Sequence, residues 1–358
     1  MTPLRLASFP GVLPTNPYQR LLYQHLEPLG IRVVGDARFD AGWLWRARRD
    51  VAVLHFHWPQ SYWRHERGPA RLQRPLSYVK VAVLAARFAL ARLLGYRVVW
   101  TIHQVYPHEL ASRRLDRLGA RAVARLSHVL IVHDESTRES AIAELGSFAA
   151  RAAVVPHGSY IGVYPPGLAR DAARAELGVA AGAVVFLCFG HLRAYKDVGF
   201  LLDAFRAAAV DGAVLVIAGP VGDPGVAEEI RRAAAEDPRI KPVLGFVPDD
   251  AVAQLFEAAD VAVVARNDGG TSASIILGLS LGRPVIAARR PAYEAALGGE
   301  RAGWLFEPGD AGALGAAIEA AVAGGPELRR EKGDAARERA EQLAWPAIAA
   351  RTFALMRN

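Results

Sequence analysis

The sequence predicts an α/β protein with two doubly wound, mostly parallel sheets in tandem, their loops facing a shared cleft. Three observations carry this: a length of 358 residues, short apolar runs that alternate with helix-period stretches, and a proline-rich interruption between two such series. With 52% hydrophobic and 22% charged residues the chain is globular and larger than one ordinary core. Its 33 glycines and 22 prolines follow no period, which excludes collagen-like and linker-dominated architectures.

The first series opens with residues 4–9, an apolar run stopped by Pro10-Gly11, which reads as a buried strand and its loop. Residues 16–29 follow with Tyr18, Leu21, Leu22, Leu26 and Leu29 at helical spacing, ended by Gly30. Further strands are expected at 31–34, 51–56, 97–102, 129–132 and 153–155, with helices at 76–94 and 111–126. Tyr164-Pro165-Pro166-Gly167 closes this domain, 1–164. The second domain, 165–339, is expected to carry strands at 184–189, 213–218, 240–244, 261–264 and 284–287 and helices at 199–208, 226–235, 251–258 and 271–281. A last helix at about 340–355, offset by Trp345-Pro346, is expected to pack back on the first domain. Ligands of such sheets sit beyond the carboxyl ends of the strands, so the loops there are the places to search.

Cys188 is the single cysteine, which excludes a disulfide framework or a Cys-rich zinc module and suits a reducing compartment. The segment MTPLRLASFPG shows no secretory signal, and no run of about 18 apolar residues occurs, so a cytoplasmic chain is expected. The formal charge of +7 is uneven. Residues 1–165 hold 22 Arg and Lys against 11 Asp and Glu, net +11, whereas residues 166–358 hold 21 against 25, net −4. Nine of the ten histidines also lie in the first part.

Two loops of the second domain stand out. Gly190-His191-Leu192-Arg193-Ala194-Tyr195-Lys196 follows its first strand, with a glycine for close backbone approach and two cations able to neutralise a diphosphate. Asp268-Gly269-Gly270-Thr271-Ser272-Ala273-Ser274 precedes an apolar helix, where free N–H groups and the helix dipole favour phosphate. A plain N-cap by Thr271 or Ser272 explains one of these residues but not the cluster. No Walker sequence and no G-x-G-x-x-G opens a helix, which argues against an ATPase and against an oxidoreductase on twin dinucleotide folds.

Residues 189–196, the passage Val243-Leu244-Gly245-Phe246-Val247-Pro248-Asp249-Asp250, and 277–287 with Gly282-Arg283-Pro284-Val285 resemble, in order and spacing, the sugar-donor domain of family 4 (group 1) glycosyltransferases. The first domain is similar to the same group through His55-Phe56-His57-Trp58-Pro59, Thr101-Ile102-His103, Pro107-His108-Glu109 and Val155-Pro156-His157-Gly158. The resemblance implies the GT-B architecture, two Rossmann-like domains. It further implies transfer of a sugar from a UDP- or GDP-linked co-substrate to a glycan, lipid-linked or small-molecule acceptor, in polysaccharide or glycoconjugate synthesis, with no metal or other cofactor.

By that resemblance Arg193 and Lys196 bind the diphosphate, with the Gly11 backbone close to it, while Thr271, Ser272 and Ser274 at the helix start are candidates to hydrogen-bond phosphate or ribose. Gly245, Phe246 and Val247 meet the nucleobase, and His103 lies beside the transferred sugar. The family's two spaced glutamates fall here on Gly269 and Leu277, so Asp268 is the acid left to assist catalysis. The resemblance implies retention of configuration, while the missing acids leave open inversion through a carboxylate or histidine base. They also leave open a catalytically silent, nucleotide-sugar-binding relative or partner subunit. His57, Trp58, His108, Glu109 and His157 are candidates for acceptor binding. His55 and His57 alternate along one strand and face one side, and with no third ligand at metal-like spacing, hydrogen bonding is the expected role.

Aromatic and basic residues cluster in the first domain: Trp43, Trp45, Arg46, Arg48 and Arg49, then Trp58, Tyr62, Trp63, Arg64, Arg67, Arg71 and Arg74. Lys80, Arg87 and Arg92 line the next helix, and Arg113, Arg114, Arg117, Arg121 and Arg125 the one after. Such faces suit an anionic bilayer surface on the inner side of the membrane and a lipid-linked acceptor; nucleic acid is not expected, because no recognition motif accompanies the charge.

Overall fold

The computed structural model describes residues 3–13, 17–65, 69–106, 112–267 and 269–357. Two compact units form: unit 1 is Met1–Gly158 with Trp345–Asn358, and unit 2 is Ser159–Ala344. The chain therefore passes between units after Gly158 and after Ala344, rather than at 164/165 and 339/340.

Unit 1 holds β1 Leu4–Phe9, β2 Ile31–Val34, β3 Val53–Phe56, β4 Arg97–Ile102, β5 Val129–Val132 and β6 Ala153–Val154. These form one parallel sheet in the order β2-β1-β3-β4-β5-β6. β3 and β5 are buried along their whole length, which explains why they read as continuous apolar runs rather than alternating ones. On one side Phe9 stacks on Phe56 at 4.9 Å, and Phe39 and Phe88 close over Phe56 at 4.8 and 4.6 Å.

Helix Pro17–Leu26 starts with proline at its first position and buries Tyr18, Gln19, Leu22, Tyr23 and Leu26. Helix Ala70–Leu93 begins upstream of Pro75, not after it as expected. The expected single helix at 340–355 is two: Gly325–Glu341 ends unit 2, and Trp345–Arg357 returns to unit 1. The second is tied to the sheet by Arg97 and Arg351, which donate to the carbonyls of Leu355 and Val154. Gly158 makes room for Trp345, since a Cβ there would lie 2.2 Å from the indole.

Unit 2 holds β7 Val184–Phe189, β8 Ala213–Gly219, β9 Ile240–Leu244, β10 Val261–Val264, β11 Val285–Ala288 and β12 Gly303–Phe306, all parallel in the order β12-β11-β10-β7-β8-β9. β12 was not expected from the sequence. Each sheet reverses its strand order once, between β1 and β3 in unit 1 and between β7 and β10 in unit 2. Loops diverge at such a switch point and leave a crevice beyond the strand ends.

Each unit also holds a carboxylate tied to arginine, Asp116 buried and Asp260 half-buried. Asp116 accepts from Trp63 Nε1 and from both Nε and Nη2 of Arg64, at 2.8–3.0 Å. Trp63 and Arg64 are thus internal, not part of a surface cluster. Asp260 pairs with Arg170 and Arg174 and accepts from the Val185 N–H at 2.7 Å.

Candidate functional site

In unit 2 the switch point joins two loops. After β7, Gly190 has φ +125° and carries no side chain; a Cβ there would stand 3.4 Å from Ser274 Oγ and 3.9 Å from Lys196 Nζ. Gly219, at the end of β8 with φ +140°, presses on this turn so closely that a Cβ would meet the Gly190 carbonyl oxygen at 2.0 Å. The Lys196 ammonium donates to Ser274 Oγ at 3.1 Å, and Ser274 Oγ donates to the Phe189 carbonyl at 3.3 Å. Ser274 therefore aims Lys196 across the N-terminus of helix Ala273–Ser280. Ser272 caps that helix through the Ile275 N–H, the plain role weighed for it above.

Asp197 ties the second loop to the first by accepting from Asn267 N at 2.9 Å and Nδ2 at 3.2 Å. Burial lowers the Lys196 pKa, the Cys188 thiol opposes this, and the neighbouring Arg266 adds to it. Burial also pushes the Cys188 thiol up to about 11. A half-buried ammonium with a hydroxyl neighbour can pair with an anion, which would repay the hydration it has lost. Arg193 lies on the same loop, with its Nε 3.1 Å from where a Cβ on Gly222 would sit. Thr271 is half-buried before the helix.

On the neighbouring β9 loop, Gly245 bonds through its N–H to the Gly219 carbonyl, and Phe246 is 77% exposed. A cavity of about 250 Å³ behind it is lined by Phe246, Val247, Pro248, Val243 and Leu255. An exposed ring of this kind can stack on a planar group. Leu277, at the second glutamate position, is buried in the core, and Gly269 packs on the Arg266 guanidinium. No acid replaces the glutamates at these two places. Asp268 lies outside the described residues.

Unit 1 gathers imidazoles at the carboxyl ends of consecutive strands. His57, His103 and His133 each stand one residue past β3, β4 and β5, and His157 follows β6. Helix Pro17–Leu26 lays Tyr18 against His57, His103, His133 and His157, with ring centroids 4.9–5.8 Å apart. Trp345 closes the group at 5.5 Å from Tyr18. The Tyr23 hydroxyl lies 3.0 Å from His55 Nδ1, 2.8 Å from His57 Nε2 and 3.0 Å from Ser8 Oγ. His55 Nε2 meets Thr101 Oγ1 at 2.8 Å. His57 Nδ1 meets His103 Nε2 at 3.1 Å, His103 Nδ1 meets His133 Nε2 at 3.1 Å, and His133 Nδ1 donates to the Val155 carbonyl at 3.0 Å.

Burial favours the neutral form of each imidazole in the group. It lowers His55 and His157 to about 3, and it takes His57 and His103 well below the ordinary value, with the neighbouring imidazoles adding to the effect. His133 is lowered by the same cause, which the Val155 carbonyl and Asp134 partly oppose. Tyr18 and Tyr23 are raised by burial.

Of the first-domain candidates, His57 and His157 are buried, so they shape the site from beneath. His103 and Trp58 are half-buried, their rings stacked at 4.5 Å and 13°. Gly11 lies exposed beyond β1. His108 and Glu109 lie outside the described residues. The sequence reading missed His133, Tyr18, Tyr23 and Trp345. A histidine directly after three successive strands was the available signal for the first, while the other three look like ordinary helix-face aromatics.

Two parallel six-stranded α/β units joined in one chain have the architecture of the GT-B glycosyltransferases. Residues 183–323 match the family model of the glycosyl transferases group 1, so unit 2 carries a domain of that family. The chain is 28% identical over 300 residues to a GDP-mannose:glycolipid 4-beta-D-mannosyltransferase of Xanthomonas campestris, covering 82% of this chain and 75% of that protein. It is 30% identical over 215 residues to a D-inositol 3-phosphate glycosyltransferase of Corynebacterium efficiens, covering 57% and 50%. Among solved structures, sucrose-phosphate synthase from Thermosynechococcus elongatus superposes with a TM-score of 0.76 at 21% identity, covering 100% of this chain and 98% of that one. HepE of Anabaena in complex with UDP superposes with a TM-score of 0.73 at 17% identity, covering 99% of both.

Proposed function

We propose that this glycosyltransferase moves a hexosyl group from a GDP- or UDP-linked sugar to a lipid-linked acceptor in polysaccharide or glycoconjugate synthesis, working as a peripheral protein on the cytoplasmic face of a membrane. The carrying observation is Lys196, half-buried and aimed by Ser274 at the β7/β10 switch point. In this reading Lys196 and Arg193 bind the diphosphate and stabilise the charge that builds on it as the sugar leaves, without a metal. Phe246 stacks on the base, with Gly245 and Val247 beside it. Trp58 and the loop after His103 receive the acceptor. The mannosyltransferase that matches over most of this chain supports a GDP-linked sugar and a glycolipid acceptor.

Support for a lipid surface comes from helix Ala70–Leu93, which exposes Leu72, Leu76, Val79 and Val83 along one stripe and contains no acidic residue. Exposed Arg71, Arg74 and Arg92 belong to the same helix, and exposed Arg114 and Arg125 to helix Arg113–Leu126. Arg113 and Arg117 instead pair with Glu144, and Arg121 donates to its carbonyl. Apolar side chains between exposed cations match an anionic bilayer. Among the described residues no helix is long and apolar enough to cross one.

Purified protein incubated with GDP- and UDP-hexoses and a polyprenyl-linked glycan should form a product with one of them, whose anomeric configuration then separates retention from inversion. Saturable nucleotide-sugar binding without release of nucleotide would instead support the silent binding protein. Sedimentation with vesicles containing phosphatidylglycerol, lost in Val79→Glu, tests the membrane arm.

A further inference from the structure

Four strand-end loops of unit 2 meet at one side chain, Asn267, three residues past β10. Its backbone N–H and its amide nitrogen donate to Asp197 Oδ2 at 2.9 and 3.2 Å. Its amide oxygen accepts from the Gly309 N–H at 2.7 Å, and its carbonyl accepts from Arg290 Nε at 2.7 Å. Asp197 follows β7, Arg290 follows β11 and Gly309 follows β12. We infer that Asn267 and Asp197 are positioning residues, an anchor that fixes the turn bearing Arg193 and Lys196 so that both cations stand in place before an anion arrives. The inference rests on the reading of that turn as the diphosphate site.

The anchor admits only one chemistry. The Gly309 N–H can only donate and the Asp197 carboxylate can only accept, so the Asn267 amide has a single orientation. An aspartate at 267 would set oxygen against oxygen, and a leucine would keep the volume and lose both side-chain bonds. Both bonds to residue 197 end on the same oxygen, Oδ2, so an asparagine there would still supply the acceptor.

Asp197 shows where the anchor acts. It holds the left-handed conformation at φ 52°, ψ 42°, which residues with a Cβ adopt at a cost and which aspartate tolerates better than most. It precedes helix Val198–Ala207, where an aspartate ordinarily accepts from the first turn, yet its side chain makes no such cap. The carboxylate goes to Asn267 instead. Upstream lie the bonds that shape the cationic turn: the Lys196 N–H donates to the Arg193 carbonyl at 2.9 Å and the Asp197 N–H to the Ala194 carbonyl at 3.1 Å. The other end is tied at Leu192, whose N–H donates to the Pro220 carbonyl at 2.8 Å and whose carbonyl accepts from the Gly222 N–H at 2.9 Å. Arg193 and Lys196 therefore sit between two fixed points, and cations held in this way lose less freedom when an anion binds.

The test uses the whole protein, with hydrogen exchange over residues 193–197, calorimetry with GDP and UDP, and urea unfolding as the control for overall stability. Asn267→Leu should speed exchange in the turn and weaken binding of the preferred nucleotide roughly tenfold, within the range of coupling between residues in contact. Asp197→Ala should do the same, and Asp197→Asn, which keeps the accepting oxygen, should restore both; this series also decides the matter where Asn267→Leu does not fold. In a Lys196→Ala background Asn267→Leu should cost much less, since one of the two groups it positions is gone. Unchanged exchange in folded Asn267→Leu, an equal loss of affinity with and without Lys196, or an Asp197→Asn protein as impaired as Asp197→Ala would overturn the proposal. A wild-type protein that binds neither nucleotide, with a turn that still loosens in Asn267→Leu, would refute the diphosphate reading and leave the anchor standing.

Discussion

In unit 1 the strand ends beyond β3, β4 and β5 carry histidines held neutral by burial and by one another, whereas in unit 2 the ends beyond β7 and β10 carry Lys196 and glycines that leave it uncovered. Burial disfavours the charged form in both places, but from different starting points. An imidazole sheds its proton at little cost because its ordinary pKa lies near neutrality, whereas a lysine starts from an ordinary value of 10.5, which burial lowers. The same parallel α/β plan thus yields an uncharged site and a cationic one, by the choice of residue at the strand end.

The comparison breaks most visibly in acid. The His55 and His157 imidazoles stay neutral down to about pH 3 in the folded protein, while in the unfolded chain they bind protons below about pH 6.5. The unfolded state therefore gains protons as pH falls through that window. Each residue should cost ~1.4 kcal/mol of stability per pH unit there and nothing above it. Unit 1 should unfold at mildly acidic pH before unit 2. Intrinsic fluorescence reads this selectively, because six of the seven tryptophans are in unit 1 and only Trp304 is in unit 2. Earlier melting of unit 2, seen by hydrogen exchange, would contradict the assignment.

A second difference concerns the carboxylates tied to arginine. Asp116→Ala strands Arg64 and the Trp63 indole, and should cost ~3–5 kcal/mol in urea unfolding. The loss should fall on unit 1 alone. Lys196→Ala acts on the other side of the comparison: folding should survive, while kcat/KM for the sugar nucleotide falls ~10²–10³-fold. Near-normal kinetics would remove Lys196 from the site. The smallest effect is expected for Phe246→Ala, where losing a stacking surface should weaken nucleotide binding by ~1 kcal/mol, or several-fold in Kd, with kcat little changed. Calorimetry with GDP and UDP measures it.

Much of the fold was legible because parallel strands buried on both faces read as unbroken apolar runs, and β1, β2, β4, β5, β7, β9 and β10 stand where the sequence places them. β12 was not, since Gly303-Trp304-Leu305-Phe306 is too short to announce a period. Helix Glu135–Leu145 was also missed: its apolar residues form no clear face, and its start is marked only by the Asp134 cap. The cationic loop of unit 2 was readable because its residues are contiguous. The histidine cluster was not, because it joins residues after β3, β4 and β5 to a helix from the start of the chain.

The return of helix Trp345–Arg357 to unit 1 has a consequence for the order of synthesis. Residues 1–158 leave the ribosome first, but the slot between Tyr18, His157 and Gly158 is filled by Trp345, nearly two hundred residues later. Until then the aromatic end of the histidine group is open to water, and the imidazoles facing it are free to take up protons. Unit 1 is begun first and finished last, and its neutral site is sealed only after unit 2 has been made.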